Sequence, residues 1–371
     1  MQKVILKVAY KIGKRTIGFD NKPHIISYGS VVGKKEHEGP LSKEFDYYTT
    51  DSYFGEDSFE KAESKLQKTA INIALKKANL KAEDIDKIFA GDLLNQCIGS
   101  SFGIRELGIP FLGLYGACST MILSTGLASL FVDCGVAKRA IAVTSSHFCS
   151  AERQYRFPLD YGSQRTPTAQ WTVTGSGALI LEQNGNGPYI NSVTFGEIED
   201  LGITDINNMG AAMAPAAAST LIHYFNDTNT MPSDYDVIYT GDLGYVGTQC
   251  LYELCEKEGI DLRCKHSDCG NIIFNRDKQD VHAGGSGCGC SASVLASFIM
   301  HRFEQNDFKN ILFMSTGALL SPTSSFQGES VPGIAHLVNI KKIDISKIQN
   351  IIFNRSSPRC YVWRRISFIN A

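Results

Sequence analysis

The clearest hydrophobic periodicity in the chain begins just after Asp57. Apolar residues recur at Phe59, Ala62, Leu66, Ala70, Ile73, Ala74 and Leu75, and Ser58 stands where a helix cap belongs. Residues 87–90 read as a strand that runs into Gly91-Asp92-Leu93-Leu94-Asn95-Gln96. A second apolar run, 111–114, leads into Tyr115-Gly116-Ala117-Cys118-Ser119-Thr120-Met121. Residues 121–132 then continue as small and apolar side chains on every face. A segment without a polar face is a buried helix rather than a surface one. The pattern therefore predicts a strand, a tight turn at Cys118 and a buried helix. Residues 1–56 are polar and loop-rich, with short apolar strands at 4–8 and 25–32.

The same pattern occurs twice. Asp86-Lys-Ile-Phe-Ala-Gly-Asp-Leu recurs as Asp236-Val-Ile-Tyr-Thr-Gly-Asp-Leu, with Asp84 matching Asp234 upstream. The helix at 61–78 then falls on the alanine-rich stretch 211–226. Further along, Ala140-Ile-Ala-Val-Thr-Ser-Ser matches Asn310-Ile-Leu-Phe-Met-Ser-Thr, and in that register Cys118 falls on Cys288. Residues 174–182 and 332–340 pair as strands that close each copy. Three matches in one order imply a duplicated α/β plan. It contains parallel sheets covered by helices, two halves related by a pseudo-twofold axis, and facing central helices. The halves are expected at 1–185 and 186–340, with an insertion at about 148–172 in the first and a divergent tail at 341–371.

Composition narrows the function classes. The 371 residues are 43% hydrophobic and 20% charged, which is ordinary for a globular protein. A net charge of −2 provides no field for nucleic acid. No signal peptide or membrane span is expected, because no apolar run is long enough. Eleven cysteines, an odd number without framework spacing, imply reduced thiols inside a cell. Cys264, His266, Cys269, Cys288 and Cys290 do not follow paired zinc spacing, and no metal is expected.

Cys118 fits two readings. At a helix N-terminus the dipole favours thiolate and a nucleophile, whereas a small buried Cys is common in cores. Duplicated halves with a Cys at the start of a buried helix resemble the thiolase superfamily, including the ketoacyl synthases. Gly116-Ala-Cys118-Ser-Thr is similar to their nucleophile motif, and Val281-His282-Ala-Gly-Gly285-Ser-Gly-Cys-Gly289 to the motif that carries a catalytic histidine. Longer runs resemble the stage V sporulation protein AD family over residues 2–340. They are Gly91-Asp-Leu-Leu-Asn-Gln, Ser145 to Pro158, His282 to Ala292 and Phe326 to His336. That resemblance implies a spore protein that binds dipicolinic acid (pyridine-2,6-dicarboxylate), as such or as its calcium chelate, during uptake into the forespore. It also implies peripheral attachment to the spore inner membrane beside membrane proteins of the same operon, and the superfamily fold implies a homodimer.

A condensing enzyme needs a second basic group beside the thiol. In ketoacyl synthases that group follows the strand that here reads Val237-Ile-Tyr-Thr-Gly-Asp-Leu, and Asp242 stands in its place. Cys118 and His282 are thus vestigial catalytic candidates, and no cofactor is implied. Binding is the leading reading, acyl-thioester chemistry on Cys118 the alternative, and a scaffold with a vestigial pocket a third. A flat dicarboxylate calls for cationic donors around an apolar slot. The richest supply is residues 145–178, which hold Ser145, His147, Arg153, Arg156, Arg165, Tyr155, Phe157, Tyr161 and Trp171. Asp92, Asn95, Cys118 and His282 complete the candidate ligand set. For Asp92 a capping role, and for His282 a place in the core, remain alternatives.

After Ile340 the resemblance ends. The tail carries Lys341, Lys342, Lys347, Arg355, Arg359, Arg364 and Arg365 against one acid, Asp344, with Trp363 and Phe368 among them. A membrane- or partner-touching segment is one reading; an extension outside the fold is favoured. Deleting residues 342–371 is expected to leave folding and ligand binding intact, and a truncated protein that fails to unfold cooperatively in urea contradicts this.

Overall fold

The computed structural model describes residues 8–155 and 165–342. Residues 4–7 of the expected strand at 4–8, together with Arg156, Phe157, Tyr161 and the tail from 343 onward, lie outside these residues.

In the first half, β1 (His24–Val32), β2 (Lys87–Gly91), β3 (Phe111–Gly113), β4 (Arg139–Ser146) and β5 (Gly175–Glu182) are arranged β1-β5-β4-β2-β3. In the second, β6 (Tyr189–Phe195), β7 (Val237–Thr240), β8 (His266–Asp268), β9 (Asn310–Ala318) and β10 (Gly333–Lys341) are arranged β6-β10-β9-β7-β8. Strand for strand the order is the same. The halves join edge to edge where Tyr189 pairs with His24. The expectation of parallel sheets holds for β3-β2-β4 and β8-β7-β9. It fails for the closing strands, because β5 runs antiparallel to β4 and β1, and β10 antiparallel to β9 and β6. A returning antiparallel strand needs no helical crossover, so each half is a mixed sheet.

The repeated acids explain why the duplication is visible in the sequence. Asp86 Oδ2 accepts the N–H groups of Lys138 and Arg139 at 2.7 and 3.1 Å, tying the entry of β2 to that of β4. Asp236 Oδ2 does the same for Lys309 and Asn310 at 2.6 and 2.8 Å. Asp84 and Asp234 each accept a backbone N–H three residues upstream, from Lys81 and Met231. The same capping requirement has kept the same residue in both copies.

Helix α1 (Phe59–Lys77) covers the outer face of β1, β5 and β4, with Ser58 Oγ accepting from Lys61 N–H at 3.3 Å as its cap. Its counterpart α2 (Met209–Thr228) covers β9 and β10. Between the sheets lie α3 (Thr120–Asp133) and α4 (Cys288–Val294). Helix α3 packs on β2 and β4 and also on β9 and β10, while α4 packs on β4 and β5. Two hydroxyls inside α3 are satisfied locally, Thr125 donating to Met121 O at 2.9 Å and Ser129 to Thr125 O at 2.7 Å, whereas the buried Ser124 hydroxyl has no partner among the described residues. Every residue of α4 is buried. Beyond Val294 the helix widens into a π turn at Leu295–Ile299, whereas α3 runs unbroken.

Close approach at the centre depends on missing side chains. A Cβ at Gly177 on β5 would lie 2.0 Å from Ala292 O of α4. The strand β10 reaches Lys341, and the Lys342 side chain donates to Asn306 Oδ1 at 2.8 Å, so the fold extends past Ile340 and truncation should begin at 343. Gly177→Ala is expected to lower stability by about 1–3 kcal/mol through overpacking, read as a lower urea midpoint at unchanged m. An unchanged midpoint would show that α4 can retreat freely.

Candidate functional site

The site begins at the turn that the apolar pattern marked. Ala117 is left-handed (φ 49°), and this turns the chain sharply out of the strand direction before α3. Gly116 O accepts both Ser119 N–H (3.0 Å) and Ser119 Oγ (2.6 Å), and Thr120 Oγ1 accepts Gly116 N–H at 3.0 Å. Gly287 (φ 102°) precedes Cys288 in the same way. The two thiols share a small buried cluster with Leu93 and Ala151.

Cys118 is not poised as a thiolate. Burial, and then the neighbouring Asp242 carboxyl, push its pKa well above the ordinary thiol value. The expected helix-dipole effect loses because desolvation of a buried charge outweighs it. Asp242 is wholly buried. It accepts Gly287 N–H at 2.9 Å and Thr316 Oγ1 at 2.6 Å, and it shares a hydrogen bond with Cys118. Burial pushes its pKa up to about 7. Cys118 therefore faces an acid from the opposite half.

Above Cys118 opens a narrow cleft. Ala117 and Cys118 contribute to its lining from the turn, Ser286 and Thr172 from the adjoining segments, and Ile206, Met209 and Leu320 from the second half. The remaining wall is a short helix, α5 (Phe148–Tyr155), which presents Ala151, Glu152 and Tyr155. Tyr155 OH is hydrogen-bonded to Leu93 O and lies 3.1 Å from Tyr115 OH. Glu152 is the one charged lining residue among the described residues.

Of the other sequence candidates that are described, Tyr155 lines this cleft and the charged and polar ones do not. Asp92 is a buried cap, accepting Leu94 N–H (2.9 Å), Ser100 N–H (2.7 Å) and Ser100 Oγ (2.6 Å). Asn95 lines a neighbouring surface cleft that shares Tyr155 and Leu320 with the first. Ser145 is buried behind Cys288, donating to Glu63 Oε1 at 3.3 Å while its carbonyl accepts the Cys288 S–H at 2.9 Å. His147 is buried and bonded to Ser52 O at 2.8 Å, and burial lowers its pKa. Arg153 is exposed and pairs with Glu60 at 3.5 Å. Arg165 donates to Gln170 O and lies over Trp171. His282 Nε2 lies 3.1 Å from Asp280 Oδ1 and is not among the residues lining the Cys118 cleft. Three of the groups whose spacing raises the question of zinc have separate partners: His266 binds Thr240 and Tyr252, Cys288 S–H donates to Ser145 O, and Cys290 S–H donates to Gly241 O.

Of the buried acids that escaped the sequence reading, Glu63 bears on the cleft wall. Glu63 is fully buried, with its pKa pushed up to about 8 by burial and then by Asp92. It accepts Ser150 Oγ at 2.6 Å, which ties α1 to the cleft-wall helix. Its signal was present, because Glu63 sits one turn from Phe59 on the apolar stripe of α1, where a charge needs an explanation.

The sign of the Asp242 effect is testable. Its pKa is about 7 when folded, against an ordinary 3.8, so the native state holds the extra proton between those values. Stability from the neutral carboxyl is therefore complete below the lower value and lost as pH rises to about 7. Asp242→Asn is expected to flatten the fall of urea stability across that interval by one proton's worth. An unchanged slope would assign the proton to another group.

Against this geometry the chain can be compared with known proteins. A family model described as Stage V sporulation protein AD (SpoVAD) matches residues 13–341. Stage V sporulation protein AD of Bacillus subtilis (strain 168) is 46% identical over 324 residues, covering 87% of this chain and 96% of that protein. Among solved structures, 3-oxoacyl-[acyl-carrier-protein] synthase III from Aquifex aeolicus superposes with a TM-score of 0.55 at 14% identity, covering 86% of this chain and 99% of that one. Cerulenin-bound OleA of Xanthomonas campestris superposes with a TM-score of 0.56 at 14% identity, covering 87% of this chain and 97% of that one. The structural likeness establishes the thiolase-like fold. On the family match and the relative's identity, the chain belongs to the stage V sporulation protein AD family.

Proposed function

We propose that this sporulation protein is a non-catalytic binder of dipicolinic acid, as the dianion or its calcium chelate, serving its uptake into the developing spore. The observation that carries the non-catalytic part is the Cys118–Asp242 contact. A condensing step needs a thiolate and a donor for the developing oxyanion. Here the thiol is held neutral, and no imidazole or amine that could take its proton is among the described residues lining its cleft. Among the described residues no helix is long and apolar enough to cross a membrane. Attachment to the spore inner membrane would therefore pass through membrane proteins of the same operon, with the protein itself as a homodimer.

A second reading, acyl transfer on Cys118, has one observation in its favour: the thiol does line an open cleft. Two measurements separate the readings. Calorimetry with dipicolinate, with and without calcium, is expected to show saturable binding, and a folded sample that binds neither form sinks the proposal. Mass spectrometry after incubation with acyl-CoA donors is expected to show an unmodified chain, and an adduct on Cys118 would favour the second reading.

A further inference from the structure

The helix α5 that walls the Cys118 cleft is fastened at both ends and in the middle, and the middle fastening is to an acid. At its start Phe148 N–H donates to Thr174 Oγ1 at 3.1 Å, and the Phe148 ring stacks on Trp171 with centroids 3.7 Å apart. At its end Gln154 accepts Asn95 N–H at 2.9 Å and donates to Leu93 O at 3.0 Å. Between them Ser150 meets Glu63 of α1, directly behind Ala151 and Glu152 of the cleft lining.

The hydrogen bonds around Glu63 call for a proton on it. Ser150 Oγ lies 2.6 Å from Glu63 Oε2 and 3.0 Å from His147 O. One hydroxyl proton cannot serve both, and a protonated Glu63 supplies the second. Glu63 Oε1 accepts Ser145 Oγ at 3.3 Å, and Gln67 Nε2 donates to Ser145 Oγ at 3.3 Å and to Ser100 Oγ at 3.0 Å. Ser100 Oγ in turn donates to Asp92 at 2.6 Å, so one network holds two buried acids. Asp92 also receives the N–H groups of Leu94 and Ser100, whereas Glu63 meets only hydroxyls. The negative charge therefore sits better on Asp92 and the proton on Glu63. The other titratable neighbours do not neutralise an ionised Glu63. Glu60 of α1 is itself an acid and takes Arg153 of α5 at 3.5 Å, His147 turns to Ser52 O, and Cys288 of α4 is a thiol. Burial and Asp92 push the Glu63 pKa up to about 8. Once ionised, Glu63 needs water, and α5 is the neighbour with a solvent-facing side, while β4 is buried along its length.

We infer that Glu63 is a protonation latch on the cleft wall: protonated, it holds α5 against α1, and ionised, it admits water and releases α5, loosening the Cys118 cleft. The inference rests on the dipicolinate reading only for what the cleft takes up. The latch itself is tested without ligand, by hydrogen exchange of residues 148–155 corrected for the intrinsic rate. In the unaltered protein their protection should hold at about pH 6 and fall with a midpoint near pH 8. In Glu63→Gln, whose amide repeats the donor and the acceptor, it should persist to about pH 9. Ser150→Ala cuts the latch without touching the acid and should show low protection already at about pH 6. Protection in the unaltered protein that does not change across this range overturns the latch. So does a transition that survives in a folded Glu63→Gln protein, or full protection in Ser150→Ala. With dipicolinate, affinity should weaken about tenfold for each pH unit above the Glu63 pKa, because only the latched fraction binds, and Glu63→Gln should abolish that dependence. A protein that shows the protection change but binds no dipicolinate at any pH supports the latch and overturns the functional reading alone.

Discussion

The two halves meet at a centre that has no space for an extra carbon. A Cβ at Gly317 would stand 2.4 Å from Gly116 O, and one at Gly287 would stand 2.6 Å from Ser146 Oγ. Both contacts cross from one half to the other. They bring the turn before α3 and the turn before α4 into one small buried volume, and the two thiols with them. Everything chemical about the molecule follows from that closeness. Water is excluded, so charge is expensive, and groups that would ionise in solvent are held neutral.

Asp242 and Glu63 show what the closeness does to acids. Each is fully buried and each has its pKa raised chiefly by that burial. Each is also retained by hydroxyl donors, Thr316 for Asp242 and Ser150 for Glu63. A neutral carboxyl can donate and accept at once, so it joins elements without a buried charge. Here the joined elements are Cys118 to the second half, and α1 to the cleft-wall helix.

Much of the fold could be read from the sequence because local chemistry repeats. Asp86 and Asp236 recur since both copies must secure the same pair of strand entries, and the run at 121–132 is apolar on all sides because it lies between two sheets. The reversed closing strands were hidden, since β5 and β10 are as apolar as parallel strands would be. The site was only partly legible. Cys118 and the position of Asp242 came through because each lies beside a repeated motif. The orientations of His282, Asp92 and Arg153 did not. Those are fixed by Asp280, Ser100 and Glu60, partners that spacing does not reveal. The residues lining the cleft come from separate loops and helices, where hydrophobic periodicity carries no information.

The strand order also governs how the chain is made. β1 has its long partner in β5, so residues 24–32 must wait until residues 175–182 have left the ribosome before the first sheet can close. Until then an apolar strand with unpaired N–H and C=O groups is exposed on the nascent chain. Such long-range pairing makes folding slow and leaves the intermediate open to aggregation. Synthesis is thus the stage at which this strand edge is most exposed, well before the two halves can close on each other.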